Sequence, residues 1–160
     1  MRDRHRRAKR SLSKVLKKQM EHLGTSARFV TLTVPNEIVP TDPDGVVEPR
    51  DLVKLVRKLK AKMYAFTRTK AYKDHVIGAV EFYEQTYKTV DSGVEVNTHI
   101  HAVWLGEFWA QSELQDAWGG IVHLTRPKNR KTVMKYISKY VVKDPIPGTR
   151  AKETRGVLRG

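Results

Sequence analysis

The sequence predicts a single α+β domain, with a central antiparallel sheet of about five strands and helices packed on one face. Its 160 residues, 39% of them hydrophobic, suffice for one buried core. After an N-terminal helical segment, period-two and helical-period segments follow in the order β, α, β, β, α, β, α. Two of the strand segments are joined by "VDSGVE", a glycine-containing stretch that is typical of an antiparallel hairpin.

Residues 1–24 are predicted to form a basic N-terminal arm followed by a helix. The run "MRDRHRRAKR" has no apolar periodicity, so we expect it to be a mobile arm or the charged start of a helix. Residues 11–22 then carry Leu12 and Leu16 at helical spacing, and Gly24 is expected to end the helix.

Residues 25–145 are predicted to hold the globular domain. The alternation in "RFVTLTVPN" predicts its first strand, which the proline and asparagine end. The strands are expected over residues 28–36, 75–88, 96–106 and 121–125, and the helices over residues 50–68, 110–120 and 129–143. Residues 146–160 are basic and are predicted to be a flexible tail.

Positive charge is the strongest global property of the chain. Lys and Arg number 31 against 17 Asp and Glu, which gives a net charge of +14. Such a surplus attracts a polyanion, and no basic face is backed by a Trp- and Leu-rich stripe that would insert into a membrane. The sequence therefore predicts a nucleic-acid partner and no membrane partner. The expected DNA contacts are Arg2, Arg4, Arg6, Arg7, Lys9, Arg10, Lys131 and Lys135.

The chain has no cysteine, which excludes disulfides and thiolate-bound metals. It has no apolar run of about 18 residues, and its N-terminus is too charged for a secretory signal peptide. We therefore expect a soluble cytoplasmic protein. It also has no G-x-x-x-x-G-K-[ST] phosphate loop, so nothing indicates a fused helicase.

The stretch "NTHIHAVWLG" carries the first chemical signal. Alternate residues of a strand face the same way, so His99 and His101 are expected to project together, with Ile100 on the opposite face. Two imidazoles at that separation can share one divalent cation. The alternative is a pair of polar residues on a solvated sheet face.

The preceding strand offers a third ligand. If Val80 and Phe82 enter the core, Glu81 turns to the opposite face, where we expect it to join the two histidines. Glu84 is the second choice, because a bulge or a different register would exchange the faces. Two imidazoles and one carboxylate leave positions for water or a phosphate oxygen, which suits Mn²⁺ or Mg²⁺.

The last predicted helix carries a candidate nucleophile. "KYISKYVVK" places Tyr136 and Tyr140 on one helical face, each followed three residues later by a lysine, Lys139 or Lys143. A tyrosine beside an apolar stripe can also be a half-buried packing group. A phenol beside a metal that polarises a phosphodiester is nevertheless a competent nucleophile, and neighbouring lysines can favour the phenolate.

Together these motifs resemble those of the HUH endonucleases, specifically the rolling-circle replication initiators (Rep proteins) of small plasmids and single-stranded DNA phages or viruses. "TLTVPN" is similar to their first motif, "HIHAVWL" to the His-hydrophobic-His metal motif, and "YISKYVVK" to the tyrosine helix in its two-tyrosine form. The resemblance covers about residues 28–143. It implies the ferredoxin-like topology that these nucleases share with RRM domains.

The resemblance implies a metal-dependent enzyme that nicks and rejoins single-stranded DNA at an origin. One Mg²⁺ or Mn²⁺ would be held by His99, His101 and Glu81, with Glu84 as the second choice for the carboxylate. Tyr140 would attack the scissile phosphate, leaving a 5′-phosphotyrosine bond and a free 3′-OH that primes synthesis.

Other residues and partners follow from the same resemblance. Tyr136 would be a second nucleophile or an auxiliary group, and Lys143 or Lys139 would assist the phosphate. The implied partners are single-stranded DNA or an origin hairpin, together with host replication proteins, in the cytoplasm of a prokaryotic host.

Two alternative functions are compatible with the sequence. One is another HUH enzyme, a single-tyrosine or two-tyrosine transposase, although the doubled tyrosine with its lysines fits the single-tyrosine type less well. The other is a non-catalytic, basic nucleic-acid-binding domain. That alternative predicts aromatic residues, instead of histidines and a glutamate, at the centre of the exposed sheet face.

Overall fold

The structure is a computed structural model that describes residues 2–23, 27–141, 143, 146, 149, 150 and 152–159. Helices and strands are interspersed along this part of the chain, and two pairs of strands follow each other without a helix between them, as expected for an α+β domain with antiparallel pairing. Their bounds are α1 (Arg2–Leu23), β1 (Ala27–Thr33), β2 (Glu37–Val39), α2 (Pro49–Thr67), α3 (Lys70–His75), β3 (Val76–Val90), β4 (Gly93–Gly106), α4 (Gln111–Trp118), β5 (Val122–Thr125), α5 (Arg130–Val141) and β6 (Glu153–Gly156).

The strands form one sheet in which every pairing is antiparallel. Its order is β5–β1–β4–β3–β6, and β2 pairs separately with β4. The central hairpin of β3 and β4 runs from Val90 opposite Gly93 to Val76 opposite Gly106. Gly93 has a φ of 150°, and a Cβ there would lie 2.2 Å from the Val39 carbonyl oxygen. The approach of β2 to this hairpin therefore requires glycine.

The predicted α+β domain with an antiparallel sheet is confirmed, but helices cover both faces of the sheet instead of the predicted one. We call these faces the α2 face and the α5 face. The buried side chains of the α2 face include Leu59, Met63, Phe66, Tyr72, Ala79, Tyr83, Ile100, Trp104, Trp109, Leu114 and Trp118. Those of the α5 face include Leu12, Leu16, Val80, Phe82, Val103, Leu105, Val133, Ile137 and Tyr140. The central strands are apolar on both sides, so both faces require cover.

Helix α1 extends over 22 residues and begins at Arg2. The basic run at the N-terminus is thus the charged start of a helix, one of the two forms expected for it. Leu12 and Leu16 pack into the core of the α5 face. At the far end of α1, Glu21 Oε1 lies 3.1 Å from Nη1 of Arg130, the first residue of α5. Among the helices described here, none combines the length and apolar character needed to cross a membrane.

Three elements, β2, α3 and β6, are not predicted by the sequence pattern. The last of these lies in the segment expected to be a flexible tail: Glu153–Gly156 pairs with β3, and Leu158 behind it is buried. β6 has only four residues and no apolar alternation, so the sequence carries no strand signal for it. Tertiary interactions hold it, namely its pairing with β3 and the ion pair of Arg155 with buried Glu81.

Candidate metal centre and tyrosine site

The two histidines lie at the centre of the sheet and, as predicted, share a face. His99 and His101 are both on β4, and their ring centroids are 4.7 Å apart. Ile100 between them is buried in the core of the α2 face. The histidines are therefore on the α5 face, beneath the helix that carries the tyrosines.

The strand register selects the third member of the group. Glu84 on β3 is directly opposite His99, so the two side chains share a face. Glu84 Oε1 lies 3.8 Å from His99 Nε2, and Glu84 Oε2 lies 3.9 Å from His101 Nε2. One ligand atom from each residue lies within 4.8 Å of the others, a spacing that can hold a metal ion.

Glu81, the first choice for this ligand, is not part of the group. It pairs with Ala102 on β4 and lies on the α2 face, with its neighbours two residues away, Ala79 and Tyr83. Phe82 enters a core, as predicted, but this is the core of the α5 face. Glu81 is therefore turned away from the histidines. Glu84, the second choice for the carboxylate ligand, lies beside them instead.

Glu81 has a structural role instead. Its carboxylate is fully buried and accepts hydrogen bonds from Nε of Arg155 on β6, at 3.1 Å for Oε2. Burial raises the pKa of this carboxyl, while the charge and hydrogen bonds of Arg155 oppose the rise. The pair thus joins the C-terminal strand to the sheet on the face opposite the histidines.

The two imidazoles are in the form that binds cations. Burial lowers the pKa of His101 to about 4, helped by the neighbouring His99, and burial also lowers the pKa of His99. Both rings are thus neutral at neutral pH, as metal ligands must be. Thr31 Oγ1 lies 3.3 Å from His101 Nδ1. A ring that donates its Nδ1 proton to Thr31 has its Nε2 lone pair free for a cation.

Helix α5 places one phenol directly over this group. The Tyr140 ring stacks on the His101 ring with centroids 4.7 Å apart, and Tyr140 is only 7% exposed. Tyr136 is farther from His101, at 6.5 Å, and stacks instead on Phe29 at 4.2 Å. The two phenols are neighbours, with centroids 4.9 Å apart.

Burial raises the pKa of Tyr140, the charge of Glu84 adds to this rise, and a hydrogen bond from Tyr136 opposes it. Burial and the interaction with Tyr140 likewise raise the pKa of Tyr136. The phenol of Tyr140 is therefore protonated at neutral pH. Burial and Glu84 favour the neutral phenol, and the effect of the neighbouring lysines on the phenolate stays a prediction.

Both lysines of the tyrosine motif lie beside Tyr140. Lys139 Nζ is 5.4 Å from the Tyr140 ring centroid, and Lys143 Nζ is 5.1 Å from it. Lys143 Nζ also lies 3.0 Å from Glu84 Oε2. Burial alone raises the pKa of Glu84, but the hydrogen bond and charge of Lys143 and the nearby histidines outweigh it, so the pKa lies below its usual value.

The predicted DNA contacts are only partly described. Arg6, Arg7 and Arg10 are exposed on α1, and Lys131 and Lys135 are exposed on α5. The side chains of three further predicted contacts lie outside the described part of the structure; these are Arg2, Arg4 and Lys9. The described members thus follow two helices that pack on the face of the histidines.

Four residues near the site were not predicted from the sequence to be site residues. Thr31 and Phe29 reach it from β1, and Phe82 from β3, whose ring stacks on Tyr140 with centroids 5.4 Å apart. His123 on β5 is opposite Thr31 and exposed on the same face. A correct pairing of β1 with β4 and β5 would have found Thr31 and His123, because it aligns them with His101, and it would have placed Phe29 two residues away on the same face.

Comparison of the chain with protein-family models, curated proteins and solved structures finds no match.

Proposed function

We propose that the protein is a rolling-circle replication initiator that nicks and rejoins single-stranded DNA through a covalent tyrosine intermediate. The observation that carries the proposal is the stacking of Tyr140 on His101 at 4.7 Å, because it puts a nucleophile beside a group able to hold a metal ion. Neither the histidine pair nor the tyrosine helix would indicate this chemistry alone. The contact between them on the α5 face supports it.

The residues present fit one divalent cation. Glu84, His99 and His101 would hold it through one carboxylate and two neutral imidazoles, a donor set that suits Mn²⁺ and Mg²⁺ when phosphate and water complete the shell. The bound cation would withdraw charge from a phosphate oxygen of the DNA.

The reaction that we assign to Tyr140 is a transesterification. Its phenolic oxygen forms a bond to phosphorus, the bond from phosphorus to the 3′ oxygen breaks, and the proton lost by the phenol is balanced by one gained at the 3′-OH. The phosphodiester becomes a 5′-phosphotyrosine ester of similar energy. A later attack by a 3′-OH reverses the step without an external energy source.

We assign Tyr136 an auxiliary position. Its ring is stacked on Phe29 and lies 6.5 Å from His101, against 4.7 Å for Tyr140. Its hydrogen bond to Tyr140 opposes the rise in the pKa of that phenol, which favours the attacking form. A second transfer by Tyr136 would require its ring to leave Phe29.

The rest of the proposal concerns the substrate and its setting. The net charge of +14 and the exposed arginines of α1 favour a polyanion, and we propose single-stranded DNA or the loop of an origin hairpin. Host replication proteins would then extend the 3′-OH in the cytoplasm of a prokaryotic cell. The centre of the α5 face carries histidines and a glutamate, which disfavours the non-catalytic binding domain.

Cleavage of a labelled oligonucleotide tests the proposal. Wild-type protein with Mn²⁺ is expected to convert single-stranded DNA into a shorter product and a protein-linked product that survives a denaturing gel. Tyr140→Phe is expected to form no adduct while binding DNA with unchanged affinity. Tyr136→Phe is the matched control and is expected to form the adduct more slowly. An adduct in Tyr140→Phe, or no cleavage of any origin-derived DNA by wild-type protein, would contradict the assignment.

A further inference from the structure

One carboxylate at the candidate metal centre is already bound by a cation of the chain itself. Lys143 Nζ lies 3.0 Å from Glu84 Oε2, and this same oxygen lies 3.9 Å from His101 Nε2. The ammonium therefore occupies a carboxylate that a metal ion between Glu84 and the histidines would also need. Lys143 follows the last turn of α5, and its side chain is 46% exposed.

The position of Lys143 also brings it close to the reacting atoms. Its ammonium is 5.1 Å from the centroid of the Tyr140 ring, on a flexible four-carbon stem. The Glu84 carboxylate is one anionic partner of this side chain, and a phosphate bound at Tyr140 would be a second within its reach. These two contacts require different positions of the ammonium.

We propose that Lys143 and the divalent cation bind Glu84 alternately, and that metal binding releases Lys143 to contact the scissile phosphate. In the metal-free protein the ammonium holds the carboxylate between the two histidines. In the metal-bound protein the carboxylate turns to the cation and the lysine leaves it. This inference rests on the proposed function, since it concerns the same metal centre.

Electrostatics gives the reason for an exchange instead of joint binding. A carboxylate has enough lone pairs for two partners, so the donor count alone does not forbid sharing. A divalent cation and an ammonium within a few ångströms of each other repel strongly, however, and the partly buried site screens this repulsion less than water does. A DNA phosphate then gives the displaced ammonium an anionic partner in place of Glu84.

The exchange predicts that the binding of metal and the binding of DNA are coupled. Because Lys143 is held by Glu84 until the cation arrives, it contributes to DNA affinity only in the metal-bound protein. Metal and single-stranded DNA should therefore bind with positive coupling, and this coupling should depend on Lys143. A lysine that merely contacts phosphate would strengthen DNA binding equally with and without metal.

Calorimetric titration of the DNA-free protein with Mn²⁺ tests the exchange directly. Lys143→Met removes the competing ammonium and is expected to lower the Kd for Mn²⁺ by at least about fivefold. Lys139→Met is the matched control, because it removes the same charge beside the same ring, at 5.4 Å from its centroid. We expect it to change the Kd by less than about twofold.

A second measurement follows Lys143 itself. Peptide mass spectrometry of the wild-type protein measures how fast each lysine is acetylated by an amine-reactive reagent. The rate for Lys143 is expected to rise on addition of Mn²⁺, while that for Lys139 stays constant. Unchanged or weaker Mn²⁺ binding in Lys143→Met, or unchanged labelling of Lys143, would overturn the exchange. If neither wild-type protein nor Lys143→Met binds Mn²⁺, the metal centre of the proposed function itself is wrong.

Discussion

Two glutamates three residues apart on one strand lie in different environments on the two faces of the sheet. Because side chains alternate along β3, Glu81 and Glu84 lie on opposite faces of the sheet. Glu84 faces the histidines, and Glu81 pairs with Arg155 in the core of the other face. The role of each carboxylate thus depends on which face of the sheet its position on the strand gives it. Each glutamate can therefore be tested separately.

Replacing Glu84 tests the metal group residue by residue. Glu84→Gln is expected to weaken Mn²⁺ binding by at least about tenfold, because a neutral amide replaces the one anionic ligand. His123→Gln is the matched control, since His123 is an exposed histidine on the same face, outside the group. Calorimetry should show a Kd for His123→Gln within about twofold of wild type. Equal affinities for Mn²⁺ in the wild type and both variants would show that Glu84 is not a metal ligand.

Replacing Arg155 tests the structural role of Glu81. Arg155→Met leaves a fully buried carboxylate without its partner, so we expect a loss of about 3 kcal/mol in the free energy of unfolding at pH 7. Exposed Arg159 provides the control, and Arg159→Met should stay within about 0.5 kcal/mol of wild type. Urea unfolding measures both. A variant of wild-type stability would show that the ion pair does not hold β6.

The same variant has a defined pH dependence. The pKa of Glu81 is raised in the folded protein, so its protonated form favours folding, and this contribution is lost as pH rises through the folded pKa. Without Arg155 the pKa rises further, because the guanidinium charge that opposed the rise is gone. The destabilisation by Arg155→Met should therefore be smaller at pH 4 than at pH 7. A larger destabilisation at pH 4 than at pH 7 would contradict the raised pKa of a buried Glu81 carboxyl.

At the scale of elements, the catalytic assignment depends on how α5 is held above β4. The helix packs on the sheet through Val133 and Ile137, and α1 packs into the same core through Leu12 and Leu16. Both helices are amphipathic and contribute few residues each to that core. Tyr140 keeps its place over His101 only as long as this layer is intact.

Truncation of one α1 side chain tests whether α1 is part of this layer. Leu16 is fully buried, so Leu16→Ala is expected to lower the free energy of unfolding by about 2–4 kcal/mol. Lys17→Ala, one residue further and exposed, should change it by less than about 0.5 kcal/mol. Chemical denaturation measures both values. A neutral Leu16→Ala would mean that α1 is not part of the core.

The sequence predicts those elements whose signal is local. The hairpin, the helices α2, α4 and α5, and the pairing of both histidines on one face follow from periodicity and turn residues. The choice between Glu81 and Glu84 does not, because both faces of β3 bury apolar side chains and the pattern cannot say which core contains Phe82. β6 is not predicted either, because it depends on pairing with β3 and on an ion pair with Glu81, which are distant in the sequence.

At the scale of the whole molecule, the candidate site and the exposed arginines of α1 lie on the same side of the sheet. The histidines, the tyrosines and the exposed arginines of α1 belong to the layer formed by the α5 face and its two helices. Part of the net charge of +14 therefore lies along α1, the helix next to the tyrosine helix. We expect the bound strand to follow α1 and α5.

The salt dependence of DNA binding tests this direction. Replacing Arg6, Arg7 and Arg10 together by Gln is expected to reduce the slope of log Kd against log salt by about two, since each phosphate contact to single-stranded DNA contributes about 0.7. The matched control replaces three exposed basic residues of α2, on the other side of the sheet, by Gln; these are Lys54, Arg57 and Lys58. Fluorescence anisotropy should show less than half that change for the control. Equal slopes in both variants would contradict the expected path.

The central claim is that the phenol of Tyr140 attacks a phosphodiester beside a cation held by Glu84, His99 and His101. Peptide mass spectrometry of the protein–DNA adduct formed with Mn²⁺ tests it most directly. The account predicts a nucleotide phosphate on the peptide that contains Tyr140, and no adduct in the presence of a chelator. An adduct on any other residue, or one that forms equally well without the metal, would contradict it.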